Sequence, residues 1–289
     1  MNADSTLKEA LLEAGAAIHR ETGSDEASLE AELLLCHALR TDREDLYRRL
    51  NDPLAQDEAA TFQALMRRRL SREPTAYITG RREFFGLEFE VTPAALIPRP
   101  ETETLVEAVI HFANERYAGA PFTMADIGVG CGTIAVAVAE ALPNARVIAT
   151  DQSPEALALA ERNAARHGLR EHVEFRRGDL LQPLGQPVDV IAANLPYVTT
   201  ADWQALPPEI RDHEPRQALD GGEDGLRVIE RLLREAPVRL RPGGALFVEI
   251  GDEQGPAATE MAREAFPGAG VEVLPDLAGR DRVLVVKPA

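Results

Sequence analysis

The chain has 289 residues, 45% of them hydrophobic, with a net charge of −17 and a pI near 4.8. That length suits two domains, or one with an extension, and the composition excludes a disordered or fibrous chain. The acidic balance disfavours nucleic acid, whose phosphates reward clustered Lys and Arg, and no apolar run is long enough to span a bilayer.

Two cysteines, Cys36 and Cys131, cannot build a framework of bridges, and the histidines do not fall at ligand spacing, so no metal site is expected. Met1 to Lys8 is polar and lacks a charged-then-apolar signal pattern, so a cytoplasmic protein is expected; a monomer is expected separately.

Residues 5–72 carry helical periodicity. Leu7, Leu11, Leu12 and Ile18 are spaced for one face, and Leu29, Leu33, Leu34 and then Phe62, Leu65, Met66 repeat the pattern. Ser5 and Ser28 stand where N-caps would be. Asn51-Asp52-Pro53 is a break between helices. Arg67-Arg68-Arg69 reads as a solvated helix end. Residues 1–72 are therefore expected to form a small helical bundle that binds a partner or braces the rest. Residues 73–98 read as a linker holding a β-hairpin, because 84–91 alternates in part around Gly86. A helix then follows Ile97-Pro98-Arg99, with Pro100 at its first position and Glu101 and Glu103 near its positive end.

Residues 99–289 alternate strand and helix. Strands are predicted over Met124–Gly128, Arg146–Asp151, Val173–Asp179, Val188–Asn194 and Ala245–Gly251. Helices are predicted over Thr133–Leu142, Ser153–His167, Gly225–Leu240 and 254–266, with Pro242-Gly243-Gly244 as a turn. Strands near 270–275 and 282–287 close as a hairpin. The expected fold is a doubly wound, mostly parallel α/β sheet with a terminal antiparallel hairpin, whose ligands bind at the carboxyl ends of the strands.

Asp126-Ile127-Gly128-Val129-Gly130-Cys131-Gly132 falls where the first of these strands becomes a helix. Alternate glycines let a backbone approach a ligand, and a helix start presents free N–H groups. Asp151 ends the next strand, 19 residues after Gly132, where a carboxylate can accept from two ribose hydroxyls. This geometry serves NAD and S-adenosylmethionine alike; a helix cap is the structural alternative for Asp151. Asp179, after Gly178, is placed to accept from an adenine amino group, with Leu180 beside the ring; a turn is its alternative. No Lys or Arg cluster marks a pyrophosphate site and no Gly-Lys-Ser/Thr follows the loop, so an adenosine ligand without phosphates fits best.

The apolar strand before Asn194 delivers Asn194-Leu195-Pro196-Tyr197 to the same sheet edge. An amide or exocyclic amine nitrogen is a poor nucleophile because its lone pair is delocalised. The Asn194 side-chain oxygen and the Leu195 or Pro196 carbonyl can hold its two N–H bonds and aim that lone pair. Pro196 stiffens the turn, and Tyr197 offers a ring face to a flat group. Positioning of this kind is the main lever for an in-line displacement. The competing readings are an amine methyltransferase acting on nucleic-acid adenine, a non-catalytic adenosine-binding module and an NAD-type oxidoreductase.

Together these segments resemble the protein-(glutamine-N5) methyltransferases that modify peptide chain release factors, the PrmC/HemK family. The resemblance covers nearly the whole chain. It runs through 74–80, Glu83-Phe84-Phe85-Gly86-Leu87, Leu96-Ile97-Pro98-Arg99-Pro100-Glu101-Thr102-Glu103, the glycine loop and the acceptor tetrapeptide. It continues through Glu214–Gly225 and Asp276-Leu277-Ala278-Gly279-Arg280-Asp281-Arg282. It implies a class I, Rossmann-like methyltransferase domain, S-adenosylmethionine as cofactor, and the glutamine of a Gly-Gly-Gln loop as acceptor. Gly128, Val129, Gly130, Cys131, Gly132, Asp151, Asp179, Leu180 and Asn194 would then bind the cofactor. Asn194, Leu195, Pro196 and Tyr197 would bind the glutamine, with Arg99, Glu101 and Glu103 as second-rank candidates. The helical domain would help dock the release factor. The family usually has Asn-Pro-Pro-Tyr; Leu195 departs from it, and Asn-Leu-Pro-Tyr also occurs in enzymes resembling ribosomal RNA adenine dimethyltransferases.

Overall fold

The computed structural model describes residues 5–288. The chain divides into two compact units. The first runs to Arg81 and takes in Pro207–His213; the second comprises Arg82–Leu206 and residues from Glu214 onward. The expected linker 73–98 is thus divided, its first nine residues falling with the helices, and 207–213 returns to the helical unit.

In the first unit, α1 (Leu7–Thr22) opens on a capping box: Thr6 Oγ1 accepts the Glu9 N–H, and Glu9 accepts the Thr6 N–H at 2.8 Å. Thr6 and not Ser5 is therefore the cap. Ser28 lies inside the first turn of α2 (Ala27–Leu39), whose N-cap position is Glu26, without a side-chain bond. Next come α3 (Arg43–Arg48), α4 (Gln56–Leu70) and α5 (Thr75–Thr79), with Asn51-Asp52-Pro53 breaking the chain between α3 and α4 as expected. Leu7, Ile18, Leu34, Leu46 and Phe62 are fully buried in this unit's core. Leu12 is 66% exposed. Five residues past Leu7, it is rotated about 140° around the helix from it, so it leaves the face assigned to it. Arg69 also departs from expectation. It is buried, and its guanidinium holds Glu30 of α2 and Glu209 of the returning segment, the latter at 3.1 Å.

The hairpin forms from β1 (Arg81–Phe84) and β2 (Leu87–Glu90). Its turn, Phe85-Gly86, has φ of 52° and 73°, the two-residue geometry whose twist matches the strands. The next helix, α6 (Thr102–Tyr117), begins later than expected: Pro100 lies outside it and Glu101 is at the N-cap. Then follow β3 (Phe122–Ile127), α7 (Thr133–Ala141), β4 (Ala145–Asp151), α8 (Pro154–Arg166), β5 (Val173–Arg177) and β6 (Val188–Ala193). A connection absent from the sequence reading comes next: β7 (Val198–Thr199), α9 (Thr200–Ala205), α10 (Pro208–Arg211) and β8 (Asp220–Gly222), with β7 and β8 paired. The chain closes with α11 (Arg227–Glu235), β9 (Leu240–Glu249), α12 (Gly255–Ala265), β10 (Gly270–Pro275) and β11 (Asp281–Lys287). The helix expected to reach Leu240 instead ends at Glu235 and passes through a 3₁₀ turn. Pro242-Gly243-Gly244 is no turn between elements: it bulges within β9, where the partners of β6 jump from Leu240 to Ala245.

The seven-stranded sheet has the order β10-β11-β9-β6-β3-β4-β5. β11 runs antiparallel to both its neighbours and the other pairings are parallel, as the predicted fold class requires. Alternate strand residues feed two apolar layers. Met124 and Val190 join Leu105, Val109 and Val138 on one face; Ala125 and Ile191 join Ile229, Leu232 and Ala258 on the other. The strand order reverses at β3, which lies between β4 and β6, with Ile127 opposite Ala193. Glycine loop and acceptor tetrapeptide therefore leave neighbouring strands side by side, at the switch point where such sheets bind ligands.

Candidate active site

A cavity of about 420 Å³ opens at this switch point, within the range of small-molecule sites. Gly128, Gly130 and Gly132 all have positive φ, of 76°, 55° and 94°. A Cβ on Gly132 would stand 3.2 Å from the Ala160 backbone, so glycine there lets the loop lie against α8. Asp126 anchors the loop from below. Its Oδ2 accepts the Ala135 N–H at 2.9 Å, its Oδ1 has no partner, and burial pushes its pKa up to about 7. Cys131 is buried, its thiol pushed up to about 12 by that burial.

Asp151 lines the cavity. Its Oδ2 accepts the Gly130 N–H at 3.1 Å and its Oδ1 the Ser153 N–H at 2.9 Å, while burial raises its pKa. Each oxygen keeps a lone pair for a ligand. The helix cap weighed for Asp151 falls to Ser153, whose Oγ accepts the Ala156 N–H. Gly178 and Leu180 line the cavity, and Asp179 between them does not. The Asp179 carboxylate is instead held by Arg231 at 2.5 Å and Gln152 Nε2 at 2.9 Å. Three guanidinium-bearing residues line the cavity: Arg99 from the segment before α6, and Arg227 and Arg231 one turn apart on α11. Arg99 is far from the other two in sequence, and only the fold brings all three to one cavity. Glu214 meets the charge of Arg99 and Asp179 that of Arg231.

Asn194, Leu195 and Pro196 line the same cavity. Asn194 Nδ2 donates to Thr102 Oγ1 at 3.0 Å, and no described residue donates to its Oδ1. Leu195 is 5% exposed and packs against the glycine loop; a Cβ on Gly128 would meet Leu195 Cδ2 at 3.2 Å. The residue that departs from the family pattern thus serves as packing between the two loops. Tyr197 lies outside the cavity lining. Its ring packs on the second apolar layer, and its hydroxyl donates to Glu249 Oε1 at 3.1 Å. Burial raises the Tyr197 pKa. Gly221 and Gly225 lie flush on this backbone: a Cβ on Gly221 would stand 2.6 Å from the Pro196 carbonyl, and one on Gly225 2.1 Å from that of Tyr197.

The second-rank candidates separate. Arg99 lines the cavity, and buried Glu214 holds it at 2.5 Å while accepting the Ile97 N–H at 3.0 Å. Glu101 is exposed at the N-cap. Glu103 points elsewhere, accepting the Phe85 N–H of the hairpin turn at 2.9 Å. Trp203 lies under the guanidinium of Arg216, 4.1 Å from its ring centre. Sequence reasoning missed Thr102, Glu249 and Arg282. Thr102 and Arg282 sat inside the motifs that carried the resemblance, Thr102 beside Glu101 and Glu103, but no chemistry marked them out.

The glycine loop, the Asp151 carboxylate and the acceptor segment line one cavity. Comparison with known proteins shows the family. Residues 10–80 match the PrmC N-terminal domain, and residues 124–213 match a methyltransferase domain. A release factor glutamine methyltransferase of Geobacter sulfurreducens is 50% identical over 232 residues, covering 80% of this chain and 79% of that protein. One from Moorella thermoacetica is 45% identical over 280 residues, 96% of each. The chain belongs to the release factor glutamine methyltransferase family. As a member it is an enzyme, a methyltransferase whose cofactor is S-adenosylmethionine. Solved structures agree on the fold alone. A Pyrococcus furiosus methyltransferase has a TM-score of 0.51 at 22% identity, covering 70% of this chain and 89% of that one. A T. thermophilus 16S rRNA methyltransferase, solved with AdoMet and guanosine, has 0.50 at 18%, covering 72% and 50%. Among the described residues no helix is long and apolar enough to cross a membrane, and no group of side chains is arranged to hold a metal ion.

The residues present fit the cofactor of this family. The loop backbone is open to close approach, the Asp151 carboxylate keeps lone pairs toward the cavity, and Leu180 supplies an apolar wall.

Proposed function

We propose that this chain methylates the side-chain amide nitrogen of the glutamine in the Gly-Gly-Gln loop of peptide chain release factors. One observation carries the assignment: Asn194, Leu195 and Pro196 share a cavity with the glycine loop and Asp151, and Thr102 occupies Asn194 Nδ2. Asn194 Oδ1 is then left to accept an N–H of the substrate amide. The Leu195 or Pro196 carbonyl takes the other N–H. When bound, S-adenosylmethionine supplies a methyl group on a positively charged sulfur, and the carbon–sulfur bond breaks as the carbon–nitrogen bond forms.

The protein's contribution is placement. Asp151 and the loop from Gly128 to Gly132 hold the donor side, and the acceptor segment fixes the plane of the amide so that its lone pair lies along the line of transfer. The displaced N–H proton can leave to solvent after transfer, so no strong base is needed. Leu180 bounds the adenine end, with Asp179 holding Arg231 and Gln152 beside it. In this reading the helical unit docks the release factor, and the enzyme works as a cytoplasmic monomer.

Methyl transfer from labelled cofactor to a release factor, with a Gln→Ala acceptor as control, tests the proposal. Label is expected on the first protein only; label persisting on the control refutes it. Asn194→Ala is expected to lower kcat about 100-fold or more with little change in cofactor affinity, and Asp151→Ala to weaken cofactor binding foremost. Calorimetry with S-adenosylhomocysteine, run beside the kinetics, separates the two effects. Equal loss of cofactor affinity in both variants contradicts the division of roles.

A further inference from the structure

Asn163 of α8 is fully buried and does not line the cavity. Its side chain joins two segments that are far apart in sequence. Nδ2 donates one N–H to the Cys131 carbonyl at 2.8 Å and the other to the Glu90 carbonyl at 2.9 Å, and Oδ1 accepts the Glu90 N–H at 2.8 Å. The two carbonyls fix which way the amide faces, because an amide oxygen in place of Nδ2 would meet acceptors only.

Both segments build the cavity. Cys131 belongs to the glycine loop. Glu90 is the last residue of β2, and the chain that follows it lines the cavity from Ala94 to Arg99. These two walls adjoin, since a Cβ on Gly130 would stand 3.9 Å from Ala95 Cβ. On the loop side, the Cys131 carbonyl and the Gly132 N–H belong to one peptide plane. The carbonyl is held by Asn163, and the N–H returns to the Val129 carbonyl at 2.8 Å, so both ends of that plane are fixed just before the turn at Gly132, where φ is 94°. One turn earlier on α8, the Ala160 backbone would stand 3.2 Å from a Cβ on Gly132. Helix α8 thus acts on consecutive loop residues: contact at Gly132 limits how near the loop can come, and the bond at Cys131 holds it there. Without Asn163 the Cys131 carbonyl and both backbone groups of Glu90 lose their partners, and buried groups of this kind are costly to leave unpaired. The loop and the adjoining wall are then free to shift, and a site loosened in its supporting contacts loses the geometry that was set before the ligand arrives.

We propose that Asn163 is a positioning residue for the cofactor, which clamps the glycine loop to the 94–99 wall and holds both ready for the donor. This rests on the reading of Gly128 to Gly132 as the cofactor loop.

The test reads the clamp directly and the binding separately. The chain has two cysteines, so cysteine labelled with ¹³C at the carbonyl gives two signals, Cys131 and, in the core of the helical unit, Cys36. Without cofactor, Asn163→Leu is expected to move the Cys131 signal upfield as its hydrogen bond is lost, and to leave that of Cys36 in place. Calorimetry is expected to show S-adenosylhomocysteine affinity about 10- to 100-fold weaker. The KM for S-adenosylmethionine rises in parallel, and kcat at saturating cofactor stays within about threefold of wild type. Asn163→Asp fills the same space, keeps an acceptor for the Glu90 N–H and lacks both Nδ2 hydrogens; it carries the same expectations where the leucine variant does not fold. Arg162→Ala removes the ion pair to Glu90 at 2.8 Å but no bond to the loop, and is expected to bind as the wild type does. Wild-type affinity in Asn163→Leu with a displaced Cys131 signal overturns the proposal. So does an Arg162→Ala enzyme that binds as weakly as Asn163→Leu, since attachment of the hairpin alone would then account for the loss. Asp151→Ala, measured beside them, reports on the site itself. If it weakens binding and Asn163→Leu does not, the proposal fails and the cofactor site stands; if neither weakens binding, the reading of the cofactor site fails as well.

Discussion

Asp126 leaves β3 fully buried, one oxygen on the Ala135 N–H and the other unpartnered. Its pKa is pushed up to about 7 from the ordinary aspartate value of 3.8 because burial penalises the charged form, with Asp151 nearby adding to the effect. Between those two values the folded chain holds a proton that the unfolded chain has lost. Stability from this group is therefore full at low pH and declines as pH rises toward 7, with a slope of at most about 1.4 kcal/mol per pH unit. Asp126→Asn keeps an acceptor for Ala135 and removes the charge. Urea unfolding without cofactor should show the variant gaining on the wild type from pH 5 to 7, with the difference levelling above pH 8. A difference that does not vary with pH refutes the assignment. At this scale the sequence displayed what is contiguous. The glycine loop and the acceptor tetrapeptide were readable because one strand end delivers each as a unit. Thr102, Glu249 and Arg282 were not, because their chemistry exists only where α6, β9 and β11 meet around Tyr197. Leu195 was visible as a departure, but its packing against Gly128 required the pairing of β3 with β6.

At the scale of elements, periodicity located most helices and strands, and errors collected at their ends and at internal glycines. The end of α4 shows why. Three consecutive arginines read as solvated, yet helical rotation turns Arg67 and Arg68 outward and carries Arg69 into the bundle. There Arg69 bonds Glu30 and Glu209, while Arg72 reaches the same Glu209 at 2.9 Å and Thr75 the same Glu30 at 2.8 Å. Removing one member of a buried ion cluster strands the others, at a cost of about 3–5 kcal/mol. Arg69→Leu should lower the denaturation midpoint accordingly, and adding Glu30→Gln should recover part of the loss by discharging one stranded carboxylate. A double variant no more stable than the single one contradicts this account. The misread strand β9 has a similar cause. Pro242-Gly243-Gly244 has turn chemistry, but glycine at 244 is needed because a Cβ there would stand 2.5 Å from the Asp189 carbonyl across the bulge.

Across the whole molecule, alternation of strand and helix made the doubly wound sheet and its final antiparallel hairpin legible, because each period-2 run needs a period-3.6 run to cover it. The segment 207–213 was not legible: nothing in its composition says that a loop from the second unit returns to the first, where Glu209 meets Arg69. The apolar cores remain separate. Residues Leu7 to Ile78 form one, and residues from Phe84 to Val286 supply the two layers on the sheet. A cofactor bound as proposed, at the ends of β3, β4 and β6, would stabilise the unit that those strands belong to. At a hundredfold excess over Kd that amounts to about 2.7 kcal/mol. Hydrogen exchange with saturating S-adenosylhomocysteine is therefore expected to slow amides of β3, β4 and β6 about 100-fold where they exchange by opening of the whole unit. Amides buried in α1, α2 and α4 should exchange at their original rates. Equal slowing in those helices would mean that both units open as one, and the division by separate cores would fail as a description of stability.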